Sequence, residues 1–548
     1  MEWQSHKWMI LVATIWIQAF TGTNFDFSAY STEMKAVLEI SQVQLNYLAT
    51  ASDLGKAVGW SSGLALMWLP LWAVLFAAAV MGLVGYGAQW LVLTNVVALP
   101  YFVVFLLCLL AGISICWFNT VCFVLCIKNF PSTVPLSLSL TVSFNGVSAA
   151  LYNLAATSLN PHSSTVYLLL NALIPFFTST VALIPILRQL PDEPQPSDLI
   201  KRDQLTFLKL NLLAIATGLY LLLLHPSCPS TACLLFSGAV LLLMLPLAVP
   251  GVIYARDWFE RTVCYSSFRL NGSGFILVHA DDLEVHKELL GRADRVADGV
   301  TDSNDLVGKD RPLVLGQEHN AGMLAQRLDF WLYYGAYFCG GTIGLAYSNN
   351  IGQITQSLGH SLMNSKLITI YSSFSFFGRL LSAAPDFLRM KFYFARTGWI
   401  AIALLPTPIA FVFLSSFGGD SWAVQTGTAL IGLSSGFIFA AAVTLTSELF
   451  GPESVGVNHN ILITNIPIGS LVYGFLAATV YDTNASSRVG LIMTDSFVCM
   501  GRECYFMTFV WWGCISLLGL GFSVLLFLRT RPAYDRFERS RRSTVLCA

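Results

Sequence analysis

Two opposite charges stand three residues apart in a stretch whose other residues are apolar or small. The stretch reads ATASDLGKAVGW and contains Asp53 and Lys56. If it forms a membrane helix, the two side chains share one face on adjacent turns. Charges inside such helices are rare, and they usually face a cavity or a partner. One interpretation is a pathway for a solute or an ion. The other is a structural pair in which the two charges only compensate each other.

The elements that must hold this pair are apolar helices. The chain has 548 residues, of which 55% are hydrophobic and 11% charged, and its mean hydropathy is +0.65. Soluble domains carry about 25% charged residues. The composition therefore predicts an all-α polytopic membrane protein whose surroundings are a lipid bilayer. The net charge of -1 gives no indication of a nucleic-acid partner.

Fourteen apolar runs are long enough to cross a hydrocarbon core, which needs about 20 residues per helix. They lie near residues 8–29, 43–67, 71–93, 99–127, 135–158, 165–187, 206–224, 230–251, 328–349, 362–384, 397–417, 422–447, 457–480 and 505–528. The first run lacks an A-x-A cleavage site and another run follows at once. We therefore expect a retained helix rather than a signal peptide.

Basic residues indicate the orientation of these helices, because cytosolic loops collect lysine and arginine. With the N-terminus in the cytosol, the cytosolic segments receive Arg188, Arg389 and six arginines between Arg529 and Arg542. An even number of spans then places both termini in the cytosol. The sequence leaves the plasma membrane and the endomembranes both open.

Cysteine spacing gives a second indication of sidedness. Cys228 with Cys233, and Cys499 with Cys504, lie in predicted non-cytosolic loops, and both pairs have the spacing C-x4-C. Both pairs can form disulfides if that side is oxidising. A zinc site is the less favoured alternative, since no histidines accompany the cysteines at ligand spacing. Asn484 begins an Asn-Ala-Ser sequon on the same side and is the expected glycan acceptor.

The chain divides into two similar halves. The stretches NFPSTVPLSLSLTVSFNGVSAALYN and LFGPESVGVNHNILITNIPIGSLVYG share a proline-containing turn and a mid-helix glycine, and they bring Tyr152 and Tyr473 into register. Repeated helical halves with a site between them are typical of transporters. The expected organisation is a six-helix bundle at 1–190, a linker with two extra helices at 191–251, a polar cytosolic loop at 252–326, a second six-helix bundle at 327–530 and a basic cytosolic tail at 531–548.

Six motifs together resemble the plant nodulin-like family of the major facilitator superfamily. They cover nearly the whole chain and read GTNFDFSAYS, SDLGKAVGW, NFPSTVPLSLSLTVSFNG, FFGRLLSAAPDFL, SELFGPESVGVNHN and CMGRECYFMTF. The resemblance implies a major facilitator fold of two six-helix halves plus two extra helices, about fourteen spans in all, that works by alternating access.

The resemblance also implies a cytosolic gate built on the loop signature G-x-x-x-D-x-x-G-R-K. In the second half Asp386 matches the aspartate, and Lys391 lies close to the terminal basic residues. Arg379, one turn inside the preceding helix, is expected to hold Asp386, and Glu448 completes the predicted gate. In the first half Met67 stands where the aspartate would be.

The same resemblance indicates which polar residues line the cavity. Asn24, Asn145, Tyr347 and Asn465 occupy positions where major facilitator helices are expected to face the solute. Their alternative role is hydrogen bonding between helices. His459 is expected at the cytosolic end of its helix, in a gating or capping role.

The leading functional prediction is a secondary transporter for a small polar or anionic organic solute, coupled to a proton through Asp53. The chain has no G-x-x-x-x-G-K-[ST] phosphate loop and no H-E-x-x-H motif, so neither a primary pump nor a membrane hydrolase is favoured. No enzymatic activity, cofactor or metal is expected. The alternative is a receptor or scaffold that has kept the fold without transporting, and the degenerate signature around Met67 supports it.

Overall fold

The protein is a bundle of long helices. The computed structural model describes residues 2–23, 27–40, 42–160, 165–188, 197–224, 229–256, 258–259, 315–359, 363–389, 393–486 and 499–547. Within these ranges the regular secondary structure is helical, and they contain no strand.

Apart from the short helices Phe27–Leu38, Ala321–Ala325 and Ala384–Leu388, the helices of the described ranges form fourteen segments near the predicted runs, and we number them in chain order. Segments 1 to 14 are Glu2–Thr21; Gln42–Ala57 with Trp60–Trp68; Leu71–Leu93; Tyr101–Asn129; Val134–Asn145 with Ser148–Leu159; Thr165–Ile186; Ser197–Leu223; Pro229–Met244; Leu328–Tyr337 with Ile343–Ser357; Asn364–Leu381; Arg396–Leu404 with Pro406–Phe417; Ser421–Phe450; Val455–Ile463 with Asn465–Ser486; and Glu503–Cys547.

Eleven helices within the described ranges are long and apolar enough to cross a membrane. Segments 1, 2 and 9 are the three that fall below that standard. Segment 1 begins with polar turns, and segment 2 is interrupted after Ala57 and carries the charged pair. A π-helical turn at Phe338–Thr342 lies in the middle of segment 9. Such turns often occur at functional sites.

One hydrogen bond is repeated in both halves and supports the internal repeat. Tyr152 Oη of segment 5 donates to Phe20 O of segment 1 at 2.7 Å. Tyr473 Oη of segment 13 donates to Phe338 O of segment 9 at 3.1 Å. The two tyrosines are the pair that the sequence comparison aligned. Each half therefore joins its first and fifth helices with the same side chain.

The halves contact each other along two seams. Segment 2 packs along segment 13, and helix Val134–Asn145 of segment 5 packs against segments 10 and 12. A Cβ added to Gly63 would lie 2.8 Å from the carbonyl carbon of Gly456. The absence of a side chain at Gly63 therefore lets the two backbones approach closely at the first seam.

The two extra helices, segments 7 and 8, are fastened to this body by polar contacts. Lys7 Nζ of segment 1 and Asp203 Oδ2 of segment 7 form a buried ion pair at 2.5 Å. Trp16 Nε1 donates to Leu243 O of segment 8 at 2.7 Å. Segment 7 also packs on segment 10, so it contacts both halves.

The predicted basic tail is not a separate element. Segment 14 continues as one helix through Cys547, and its last turns contact the second half. Arg389 Nη2 donates to Glu538 Oε2 at 2.6 Å, and Tyr534 is buried. The end of the predicted polar loop is also ordered, because Glu318 accepts a hydrogen bond from Ser454 Oγ at 2.7 Å, just before segment 13. Residues 260–314 of that loop lie outside the described residues.

Candidate functional site

The charged pair faces segment 13 from helix Gln42–Ala57. Lys56 Nζ donates to Asp53 Oδ1 at 2.6 Å, and both side chains are buried. The other carboxylate oxygen, Asp53 Oδ2, accepts from Ser470 Oγ at 3.0 Å. Because Ser470 belongs to the second half, this carboxylate joins the two halves as well as compensating Lys56.

A cavity of about 110 Å³ lies beside Lys56, between the two halves. Its polar lining from the first half is Gln18, Lys56, Asn119 and Asn145. The polar lining from the second half is Tyr337, Arg379 and His459. Drug-sized ligands occupy pockets of about 300–1,000 Å³. In this conformation the cavity therefore suits a solute of only a few heavy atoms.

Arg379 extends from segment 10 into this cavity. Its side chain is buried and donates from Nη1 to Val142 O at 3.2 Å and to Asn145 Oδ1 at 3.3 Å, both on segment 5. Its guanidinium carbon lies 5.8 Å from the centre of the Phe439 ring. The expected contact with Asp386 is not found among the described residues. Asp386 lies in the first turn of the short helix Ala384–Leu388, which follows the turn that ends segment 10, so its side chain reaches a different partner.

That partner is Arg396, at the start of segment 11. Arg396 Nη2 donates to both carboxylate oxygens of Asp386 at 2.9 Å, and Arg396 Nε donates to Glu448 Oε1 at 3.0 Å. Tyr534 Oη donates to Glu448 Oε2 at 2.7 Å. Two predicted gate residues therefore meet through an arginine that sequence reasoning missed, and the whole cluster belongs to the second half. Lys391 lies outside the described residues.

The other predicted pathway residues have different surroundings. Asn145 lines the cavity, and Asn24 lies outside the described residues. Tyr347 is not among the residues that line this cavity; its hydroxyl lies 2.7 Å from Thr428 Oγ1 in the packed interior of the second half. Asn465 is also buried, and its Oδ1 accepts from Thr342 Oγ1 at 2.6 Å, at the end of the π-helical turn. Both contacts fit the interhelical role that was the alternative for these residues.

His459 does not occupy the cytosolic helix end that the sequence suggested. It lines the cavity, and its ring packs edge-on against Phe123 of the first half. Its Nδ1 lies 3.5 Å from Thr446 Oγ1. The position follows from the start of segment 13 at Val455, which places His459 more than one turn inside the helix.

Sequence reasoning also missed a polar cluster that crosses the first seam. Asn460 Nδ2 of segment 13 donates to Thr120 Oγ1 at 3.0 Å and to Ser62 Oγ at 3.3 Å. Inside the first half, Gln18 Nε2 donates to Asn119 Oδ1 at 2.8 Å at the cavity wall. The available signal was the presence of several polar residues within otherwise apolar runs, and only the tertiary arrangement shows which of these residues meet.

A disulfide joins the end of the loop after segment 13 to the first turn of segment 14. The sulfur atoms of Cys499 and Cys504 are bonded, and both residues are buried. Cys228, of the other predicted pair, lies outside the described residues. Asn484 lies near the end of helix Asn465–Ser486, where its Nδ2 donates to Val480 O at 3.0 Å and to Glu503 O at 3.1 Å. A glycan on Asn484 would have to displace both contacts.

The fold defines the class of protein. The structure of the major facilitator superfamily proton:xylose symporter XylE bound to 6-bromo-6-deoxy-D-glucose superposes with a TM-score of 0.52, covering 94% of each chain at 13% sequence identity. The chain therefore has the major facilitator fold and is a multi-pass integral membrane protein.

Sequence comparison then identifies the family. The sequence model described as Nodulin-like matches residues 7–251, and the model described as NFD4, C-terminal domain matches residues 315–536. The protein NUCLEAR FUSION DEFECTIVE 4 of Arabidopsis thaliana is 58% identical over 98% of this chain and 90% of its own length. The chain belongs to this nodulin-like family. A probable transporter MCH1 of Yarrowia lipolytica is 28% identical over 35% of this chain and 40% of that protein.

Proposed function

We propose that the protein is a secondary active transporter that moves a small polar or anionic organic solute by alternating access, coupled to a proton at Asp53. The observation that carries this proposal is the buried pair of Asp53 and Lys56, which lies between the central cavity and Ser470 of the other half. The names of the compared proteins, a proton:xylose symporter and a probable transporter, support the same class.

The pair offers a physical route from solute binding to proton binding. Lys56 compensates Asp53 at 2.6 Å in the structure. An anion that engages Lys56 draws this cation away from the carboxylate, and a carboxylate without a nearby cation is easier to protonate. Protonation also makes Asp53 a weaker hydrogen-bond acceptor for Ser470 Oγ. The same event therefore weakens a contact between the two halves.

Alternating access requires the halves to separate on one side of the cavity while they remain closed on the other. The two seams supply contacts that such a movement would break and re-form. They include the hydrogen bonds of Asn460 to Ser62 and Thr120, and those of Arg379 to segment 5.

A receptor or scaffold with the same fold is the second candidate, and the first-half loop supports it. Met67 stands in place of the signature aspartate, and 71% of its surface is exposed. Within the described residues, the first half contains no counterpart of the cluster formed by Asp386, Arg396 and Glu448.

Reconstitution into liposomes tests the proposal. Purified full-length protein is screened for uptake of sugars, amino acids, nucleosides and carboxylates under an imposed pH gradient, with protein-free liposomes as the control. Saturable uptake that follows the pH gradient is the expected result. The absence of uptake in all four classes by a protein that is folded in the bilayer would contradict the proposal and favour the scaffold.

We also propose that both termini face the cytosol, which the arginines of segment 14 support. A cysteine introduced near Arg542 should react with a membrane-impermeant reagent only after the cytosolic side is exposed. Labelling from the opposite side of intact membranes would contradict this orientation.

A further inference from the structure

We infer that Arg379 is the residue that recognises a small organic monocarboxylate in the central cavity. When no carboxylate is bound, the same guanidinium holds segments 5 and 10 together through its hydrogen bonds to Val142 O and Asn145 Oδ1. This inference rests on the proposed function, because it names the class of solute that the cavity would take. It gives the anion a binding partner in addition to Lys56, and both side chains line the cavity.

The first observation is a charge without a counter-charge. Four lysine and arginine side chains are buried in the described part of the chain. Lys7, Lys56 and Arg396 each form an ion pair, with Asp203, Asp53 and Asp386, at 2.5, 2.6 and 2.9 Å. Arg379 has no carboxylate within ion-pair distance among those residues. A buried cation without a partner charge is unusual and marks a binding site for an anion.

The second observation is that only neutral groups stabilise the buried guanidinium of Arg379 in the described structure. Arg379 lies beside the last turn of helix Val134–Asn145, whose backbone carbonyl groups are neutral hydrogen-bond acceptors. Val142 O is one of these carbonyls, and the Asn145 side chain adds a second neutral acceptor. The Phe439 ring adds a weak attraction for the guanidinium. All of these contacts are with neutral groups, so a full negative charge would be a stronger partner.

The third observation is a pair of unused donors. Arg379 Nε and Asn145 Nδ2 are buried and have no hydrogen-bond partner in the described structure. Both residues line the cavity. A carboxylate has two oxygens that accept hydrogen bonds, and arginine can donate to both in parallel. One carboxylate group could therefore satisfy both donors.

The rest of the cavity limits the size and charge of the anion. Lys56 is already neutralised by Asp53, so Arg379 leaves the cavity with one net positive charge. The remaining walls include Ile115, Phe123 and Leu345. One carboxylate on a short, largely apolar body fits a cavity of about 110 Å³ with this lining.

Binding would also weaken the contact between the halves. Arg379 belongs to segment 10 and its two acceptors belong to segment 5. A carboxylate on the guanidinium competes with both acceptors. The solute would thus loosen the second seam when it binds, which is the coupling that alternating access needs.

The test measures binding of acetate, pyruvate and L-lactate, and of their neutral amides, to purified full-length protein by isothermal titration calorimetry. We expect at least one acid to bind and its amide not to bind. Arg379→Gln should weaken binding of that acid by about tenfold or more, because a charged hydrogen-bonding partner is lost. Arg379→Lys keeps the positive charge but lacks the two parallel N–H donors of the guanidinium, so it should recover part of the affinity.

Asn145→Asp keeps the inference testable if Arg379→Gln fails to fold. The new carboxylate would lie where Asn145 Oδ1 already contacts Arg379, so it should occupy the guanidinium and weaken binding of the acid as strongly as Arg379→Gln. Arg536→Gln is the matched control, since Arg536 is exposed on segment 14 and donates to Pro532 O of its own helix. The control should bind like the parent.

Three results would overturn the inference. They are binding of none of the three acids, equal binding of acids and amides, and parental affinity in both Arg379→Gln and Asn145→Asp. Uptake of a neutral solute in liposomes without carboxylate binding would refute this inference and leave the proposed function in place. Carboxylate binding without uptake of any solute would support the site and refute the transporter.

Discussion

Removing the charges of Asp53 and Lys56 singly and together separates a working pair from a structural one. The side chains of Asp53 and Lys56 are only 11% and 8% exposed, so the pair behaves as a buried ion pair. Removing one partner of such a pair costs about 3–5 kcal/mol, because the other charge stays buried without compensation. Lys56→Gln and Asp53→Asn should each lose stability of this order. The double variant has no buried charge and should lose only about 1 kcal/mol, the typical net value of one hydrogen bond.

Thermal unfolding in lipid-containing micelles measures the order of stabilities, and uptake in liposomes measures the function. The double variant should unfold at a higher temperature than either single variant. Asp53→Asn should transport without dependence on pH, whereas Lys56→Gln should chiefly raise KM. Ser470→Ala is the control for stability, because it removes the hydrogen bond to Asp53 and leaves the ion pair intact, so it should lose only about 1 kcal/mol. A double variant with the parental rate and pH profile would refute a functional role for the pair.

Three further changes test the packing. Gly63→Ala should cost about 1–3 kcal/mol and slow uptake, because the new Cβ meets the backbone of segment 13, and an unchanged unfolding temperature would contradict that close approach. Reducing the disulfide of Cys499 and Cys504 should cost about 2 kcal/mol for so short a loop, so equal unfolding temperatures with and without reductant would count against it. Asp203→Asn should cost about 3–5 kcal/mol by removing the buried carboxylate that compensates Lys7, and adding Lys7→Met should recover most of this loss unless segment 7 is held mainly by other contacts.

Local sequence patterns were enough for the helices and for contacts within one or two turns. Hydropathy located the positions of the fourteen segments, and eleven helices of the described ranges are long and apolar enough to satisfy their own backbone hydrogen bonds across a bilayer. The contact between Asp53 and Lys56 follows from helical spacing, since residues three apart share a face. The repeat aligned Tyr152 with Tyr473, and both tyrosines make the same interhelical hydrogen bond.

Contacts between distant segments could not be predicted from the same patterns. The partner of Asp386 is Arg396, which comes after a turn and starts another helix, whereas Arg379 is nearer in sequence and faces segment 5. Which side of a helix meets a cavity depends on its rotation against its neighbours, and one sequence does not specify that rotation. Tyr347 illustrates this limit, because its polar hydroxyl contacts Thr428 in the packed interior.

The movement of protons driven by a solute tests the central claim most directly. Liposomes containing the protein and a trapped pH-sensitive dye receive, without any imposed gradient, the solute that gave uptake in the screen. The account predicts a saturable pH change inside the liposomes, which is absent with protein-free liposomes and with Asp53→Asn, although Asp53→Asn still takes up the solute. A pH change of the same size in Asp53→Asn, or solute uptake by the parent protein with no pH change, would contradict the account.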